Sequence, residues 1–266
     1  MKSKILMVFL MSAYMTAYAS HGTEKNQTIM DNVTAEKINW IILSEVIPSA
    51  GESHGEIISH VSSAFLSTPY EANTLIGGAD TPESLVANFN GVDCFTLLDY
   101  VEALTRSRNQ ESFLNNLARV RYTWGQVDYL NRRHFFSDWF ATEQYNAKDV
   151  TQDISTDYAV ADKHLNRKPD GGEYIPGLGI QPRKINYIPS KAINEQVLSR
   201  LKSGDYIGVY SPLDGLDVSH VGIVVHHDGQ VWFRNASSLV ANRKVVDSPF
   251  LEYMHTKPGI VVLRTE

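Results

Sequence analysis

Residues 220–236 read HVGIVVHHDGQVWFRNA. Two apolar runs flank Asp228-Gly229, a pair suited to a two-residue turn, so the stretch predicts an antiparallel hairpin. With a two-residue turn His227 faces Gln230, and counting outward sets Gly222 opposite Asn235 and His220 opposite Ser237. His220 then shares a face with Asn235 at a diagonal spacing of about 7–8 Å between backbones, close enough for their side chains to hydrogen-bond.

The segments DYIGVYS (205–211) and GIVVLRT (259–265) read as further strands on either side of this hairpin. Upstream the apolar period changes to that of helices. Ile38, Ile41, Ile42 and Val46 mark a short helix over 34–47, ended by Pro48. Ile57, Ile58, Val61, Phe65 and Leu66 mark a second over 55–66, and STPYEANTLIGG (67–78) reads as a loop. Leu97, Leu98, Val101 and Leu104 place a third over 93–104, and Phe113, Leu117 and Val120 suggest a fourth. From about 125 to 190 the pattern weakens among Gly171-Gly172, Pro176, Pro182 and Pro189, which predicts a long, partly irregular insertion. Helices first and sheet afterwards argue for an α+β domain.

The chain of 266 residues is 43% hydrophobic and 20% charged, enough to bury a core and too apolar for disorder. No period of a repeat array is present. With 24 Lys+Arg against 30 Asp+Glu the formal charge is -6, so there is no net positive field to hold nucleic acid. Lys2 and Lys4 precede an apolar stretch over 5–14, and Ala17-Tyr18-Ala19 supplies the small residues of a cleavage site. Residues 1–19 therefore read as a signal peptide, residues 20–45 as an N-terminal arm whose first part is polar and loose, and 46–266 as the functional domain. Cleavage after Ala19 would export the chain, to a periplasm first of all or out of the cell, and no second apolar span follows to make an integral membrane segment.

Cys94 is the only cysteine, so no intramolecular disulfide can form. It follows Asp93 at the expected first turn of a helix, where unpaired backbone N–H groups and the helix dipole favour an anion. That predicts a thiol lowered from about 8.5 toward neutrality. A thiolate nucleophile also needs a base held by a third polar group, and His220 with Asn235 supplies both. The order Cys, His, Asn points to a cysteine hydrolase. Two rivals are present. Gly51-Glu52-Ser53-His54-Gly55 matches the serine-hydrolase elbow, but that motif needs a preceding strand in a parallel sheet. Nine His raise the question of zinc, yet His54 and His60 are six apart and His226-His227 point to opposite faces of a strand, so no metal site and no cofactor are expected.

GVDCFTLLDYVEAL (91–104), FLSTPYEANTL (65–75) and the whole of 201–238 resemble the DUF1460 amidase-like branch of the NlpC/P60 superfamily, papain-like cysteine hydrolases of the bacterial cell wall. NRRHFFSDW (131–139) and KDVTQDIS (148–155) fit the same pattern within the insertion, and the likeness runs from about 51 to 264. It implies a papain-like fold with a nucleophile-bearing helix on a small antiparallel sheet, and amidase activity at the N-acetylmuramoyl-L-alanine bond of peptidoglycan or soluble muropeptides. Cys94 would be the nucleophile and His220 the base. Asn235 stands where many relatives have a His, and Tyr70 matches a tyrosine placed beside the nucleophile. Arg132, Arg133, His134 and Trp139 become candidates for binding an acidic muropeptide, by pairing carboxylates or stacking on a sugar. Asp93 and Ser219, which precede Cys94 and His220, join that set. A stem-peptide endopeptidase of the same superfamily and a non-catalytic glycan-binding module remain the alternatives.

Overall fold

The computed structural model describes residues 27–265. The proposed signal peptide lies outside these residues, as does the start of the arm. The chain begins with strand β1 (Thr28–Met30) and helix α1 (Asn32–Ile41), continued by a wider turn over Ile42–Val46. Helix α2 (His54–Ser63), strand β2 (Leu85–Ala87), helix α3 (Cys94–Thr105) and helix α4 (Gln110–Arg121) follow. The middle of the chain carries α5 (Asp138–Ala141), β3 (Lys148–Asp149), α6 (Thr151–Ile154), β4 (Ala159–Leu165) and β5 (Gln181–Pro189). The last part is α7 (Glu195–Arg200), β6 (Tyr206–Tyr210), β7 (Val218–His227), β8 (Gln230–Ser237), β9 (Lys244–Pro249), α8 (Phe250–His255) and β10 (Gly259–Arg264).

Strands β4-β5-β10-β6-β7-β8-β9 lie side by side in an eight-stranded sheet whose eighth member, β3, pairs β10. All of its pairings are antiparallel, so the α+β class read from the sequence describes this mixed architecture. The β7–β8 hairpin has the register counted above: His227 pairs Gln230 and Ile223 pairs Arg234. Asp228 and Gly229 both take positive φ, +52° and +71°, as the tight turn demands.

The period of two in the strands sorts their side chains onto two cores. Val221, Ile223, Val225, Val261 and Leu263 face the helical layer, where they meet Leu97, Leu98, Val101 and Leu104 of α3. Val224, Phe233, Ile260 and Val262 face the other way and are covered by Val197 of α7 and by Phe250 and Met254 of α8. Helix starts are fixed by side-chain caps. Asp93 accepts from the N–H groups of Phe95 and Thr96, and Asn109 and Asp31 play the same part for α4 and α1.

Two expectations need correction. The start of the arm, read as loose to about residue 35, is ordered where it is described: β1 pairs with β2 and α1 begins at Asn32, while Ile38, Ile41 and Ile42 are buried as the helix read over 34–47 requires. The insertion over 125–190 is more ordered than its composition suggests, because β4 and β5 pair over seven positions from Ala159↔Tyr187 to Leu165↔Gln181 and extend the sheet. Their alternation is half-buried and rich in charge, which hid them from a search for apolar runs. The elbow-like motif, a rival already disfavoured by its sequence context, is a helix start: Ser53 is the N-cap of α2, in a capping box with Glu56, and the element before it is helical, not a strand. Gly55 is there for contact: a Cβ on it would lie 2.1 Å from the carbonyl oxygen of Ser203.

Candidate active site

A cleft of about 240 Å³ opens where the N-terminus of α3 meets the start of β7, and both Cys94 and His220 line it. Cys94 is the first residue of α3, held there by the Asp93 cap. His220 lies on the Phe233 side of the sheet, with its ring 5.9 Å from the Phe233 ring, whereas α3 packs on the alternate side. Both residues nevertheless line one cleft, because His220 lies near the end of β7, beside the register shift at Val209/Tyr210.

Nε2 of His220 lies 3.0 Å from Oδ1 of Asn235. Asn235 is fully buried, and its Nδ2 donates to the carbonyl of Phe233 at 3.1 Å and to Oγ of Ser248 at 3.4 Å. A carbonyl can only accept, so the amide has one orientation and its oxygen faces the imidazole. Nε2 must then carry the proton, which leaves Nδ1 as the lone-pair nitrogen of a neutral ring. Burial, the main cause, and the charge of Lys257 hold His220 below the ordinary imidazole value, against the Asn235 bond and Asp93.

The thiol does not follow the sequence expectation. Burial, first of all, and the adjacent Asp93 carboxylate push Cys94 up to about 12, although the backbone N–H groups of Val221, Cys94 and Phe95 pull the other way. Each pKa unit is about 1.4 kcal/mol, and here desolvation outweighs the helix start, whose effect is typically below about 1 kcal/mol. Both directions favour the uncharged forms: a protonated thiol and a neutral imidazole lining one cleft. Tyr70 joins them through a parallel bridge to Val92. Burial, then the charges of Cys94 and Asp93, raise its phenol above the ordinary value, so the hydroxyl stays a donor.

The other sequence candidates fare differently. Asp93 is a capping residue whose carboxylate is engaged by α3 itself. Ser219 is exposed at the cleft edge, with its hydroxyl 3.5 Å from the carbonyl of Val209. His134 lines the cleft but not as a cation: Nε2 donates to the carbonyl of Tyr129 at 2.7 Å, and burial pushes the ring down to about 4. Arg132 and Arg133 are not among the residues lining the cleft. Arg132 grips Glu83, which also accepts from the Tyr122 hydroxyl. Arg133 is buried, donating to the carbonyls of Arg119, Val120 and Tyr122 at the end of α4. Trp139 is fully buried, its ring 5.0 Å from that of Tyr206, and offers no face to a sugar. A local reading of charge and aromaticity could not foresee that these three side chains would turn inward.

Residues that the sequence did not single out complete the cleft. Asp217 is buried there and accepts from the N–H groups of Ser137 and Val218, both at 2.7 Å, tying the 135–138 wall to β7. Tyr174 and Ile175 form the opposite wall. They sit on a loop organised by buried Asn166, which donates to the carbonyls of Ile175 and Gly179 and accepts from the N–H of Ile175. A positive φ of +77° at a non-glycine residue is the structural mark of that hub, and the sequence signal would have been an Asn at the end of a strand. Among the described residues no group of three His, Cys, Asp or Glu could hold a metal ion, and no helix is long and apolar enough to cross a membrane. His54 is directed to buried Glu102 and His60 to Glu52.

A thiol at a helix start and an imidazole held in one tautomer, both lining one mostly apolar cleft, are the groups that acyl transfer by general-base catalysis requires. The chain belongs to the AmiA-like family, described as N-acetylmuramoyl-L-alanine amidase-like, whose model matches residues 60–260. It is similar to an N-acetylmuramoyl-L-alanine amidase from Bacteroides uniformis ATCC 8492, at 30% identity over 80% of this chain and 99% of that one, with a TM-score of 0.66. A Legionella pneumophila protein of the DUF1460 family model shares the fold, at 23% identity over 88% of this chain and 96% of that one, with a TM-score of 0.69. A Bacteroides fragilis protein described as a candidate xylanase is 30% identical over 77% of this chain and 98% of that one, with a TM-score of 0.63. The comparison with curated proteins found no match.

Proposed function

We propose that this chain is an exported cysteine amidase of the NlpC/P60, papain-like type, hydrolysing the N-acetylmuramoyl-L-alanine bond of peptidoglycan or of muropeptides. Family membership and the amidase-named neighbour support the substrate class. The observation that carries the chemistry is His220, held by buried Asn235, lining the same cleft as Cys94. Export rests on the pattern of residues 1–19, with a periplasm as the expected site.

The mechanism follows from the resting protonation states. As Sγ of Cys94 attacks the lactyl carbonyl carbon, the thiol proton passes to Nδ1 of His220, so no preformed thiolate is needed. The carbonyl oxygen becomes an oxyanion, which the backbone N–H at the start of α3 and the Tyr70 hydroxyl can meet. The imidazolium returns its proton to the nitrogen of L-alanine, the C–N bond breaks, and the peptide leaves with a free amine. Water, deprotonated by Nδ1 of His220, then cleaves the thioester and restores the thiol. Asn235 holds the ring throughout, since its amide accepts from Nε2 in every state.

A glycosidase of the usual kind needs two carboxyl groups flanking the scissile bond. Asp217 is the one carboxylate in the cleft lining, and backbone N–H groups engage both of its oxygens. That weighs against a xylanase. Mass spectrometry of muropeptide digests tests the reading: the expected products are free saccharide and intact stem peptide, and they disappear in Cys94→Ala and His220→Ala proteins that stay folded. Shortened peptides would instead assign a stem-peptide endopeptidase, and turnover retained in Cys94→Ala would end the cysteine mechanism.

A further inference from the structure

Two cations rest on tyrosine rings close to the elements that carry Cys94 and His220, and among the described residues neither pairs with a carboxylate. On the Cys94 side, the Arg243 guanidinium carbon lies 5.2 Å from the centre of the Tyr70 ring. The backbone fixes that position, because the Tyr70 N–H donates to the Arg243 carbonyl at 2.9 Å and Tyr70 pairs with Val92, two residues before Cys94. On the His220 side, Nζ of Lys257 lies 4.6 Å from the centre of the Tyr253 ring. The Tyr253 ring is 5.1 Å from that of Phe233, which in turn borders the His220 ring at 5.9 Å. Each cation thus rests on a tyrosine face, one linked to the segment before Cys94 and the other to the His220 ring.

Neither belongs to the cleft itself, whose lining includes no Lys or Arg. Whatever part of the substrate enters the cleft meets mainly aromatic and aliphatic side chains, so negative charge on the substrate must be met elsewhere. The nearby carboxylates do not neutralise the two cations. Asp93 is engaged by the start of α3, and Glu71 packs against Gly91 and makes no ion pair with Arg243. In a chain of formal charge -6, two cations without carboxylate partners, linked to the Cys94 and His220 segments, form a local positive field in which an anionic group is favoured. A guanidinium and an ammonium each held on an aromatic face keep their N–H donors available to a carboxylate.

Resting on the amidase reading above, we propose that Arg243 and Lys257 form the leaving-group subsite, binding the free carboxylates of the acidic stem peptide while the acyl half occupies the cleft. The pair then acts in specificity: it selects an acidic peptide on the amine side of the scissile bond and orients the alanine nitrogen toward His220. A neutral peptide of the same length would lose that selection.

The test uses binding to the full chain carrying Cys94→Ala, so that it does not depend on turnover. Calorimetry at pH 7 compares a disaccharide–stem peptide with its counterpart in which every peptide carboxylate is a carboxamide. The expected result is at least tenfold tighter binding of the carboxylate form, falling with added salt. Adding Arg243→Gln and Lys257→Gln should erase both the preference and the salt dependence, and leave the affinity for the carboxamide form as it was. Equal affinities for the two peptides in the Cys94→Ala protein, or an equal loss on both peptides when the glutamines are introduced, would overturn the subsite. Failure of the amidase reading shows separately, as the wrong products in the digest of the unaltered enzyme.

Discussion

Asn235 accepts from Nε2 of His220 at 3.0 Å while giving its own amide N–H to the Phe233 carbonyl, so a buried amide decides which nitrogen of the imidazole is basic. Removing it frees the ring to turn and to change tautomer without removing the base. Asn235→Ala should therefore keep partial activity, with kcat reduced about 10- to 100-fold, the equivalent of about 1–3 kcal/mol for one lost buried hydrogen bond. Steady-state kinetics beside a thermal melt check this; unchanged kcat would remove Asn235 from the working set.

The sign of the Cys94 shift gives a second expectation. A thiol pushed up to about 12 is protonated at neutral pH, and only the thiolate alkylates. Iodoacetamide should label the free enzyme slowly at pH 7, with a rate that climbs through pH 9 and shows no plateau near neutrality. A plateau centred below pH 8 would mean a preformed thiolate–imidazolium pair, and the general-base mechanism would be wrong.

Trp139 separates packing from recognition. It lies fully buried between the Tyr206, Phe95 and Phe136 rings, with no hydrogen-bond partner for its indole nitrogen. Trp139→Ala should destabilise the fold by about 3–5 kcal/mol in denaturant titrations, whereas Trp139→Phe should leave KM within about twofold, since no sugar reaches the ring. A large rise in KM for a well-folded Trp139→Phe protein would restore the stacking role.

Asn166 holds the wall that carries Tyr174 and Ile175 by three hydrogen bonds from one side chain. Asn166→Ala should loosen that loop, raising KM several-fold with a smaller change in kcat and opening the segment 168–179 to limited proteolysis. Unaltered proteolysis together with unaltered KM would show that the wall stands without it.

Much of the site was legible because it depends on short-range periodicity. Asp228-Gly229 set the turn, the turn set the register, and the register placed His220 and Asn235 on one face. Asp93 announced the start of the helix that carries Cys94. What failed to read was whatever depends on burial. Arg133 and Trp139 have the composition of a binding surface, yet one ends α4 by satisfying its carbonyls and the other fills the core. The β4–β5 pair escaped notice because edge strands carry charge on one face, and charge in a Gly- and Pro-rich region looks like loop.

By itself the order of residues determined the hairpin, the capped helix that begins at Cys94 and the alternation that divides the sheet into two faces, all consequences of backbone geometry over a few neighbours. The tertiary structure alone decided the state of the sulfur and the company it keeps. The Cys94 pKa answers first to the water removed and, beyond the neighbouring Asp93 carboxylate, to the Val221 N–H that the sheet brings up to it, and no local pattern records how much solvent the finished fold excludes.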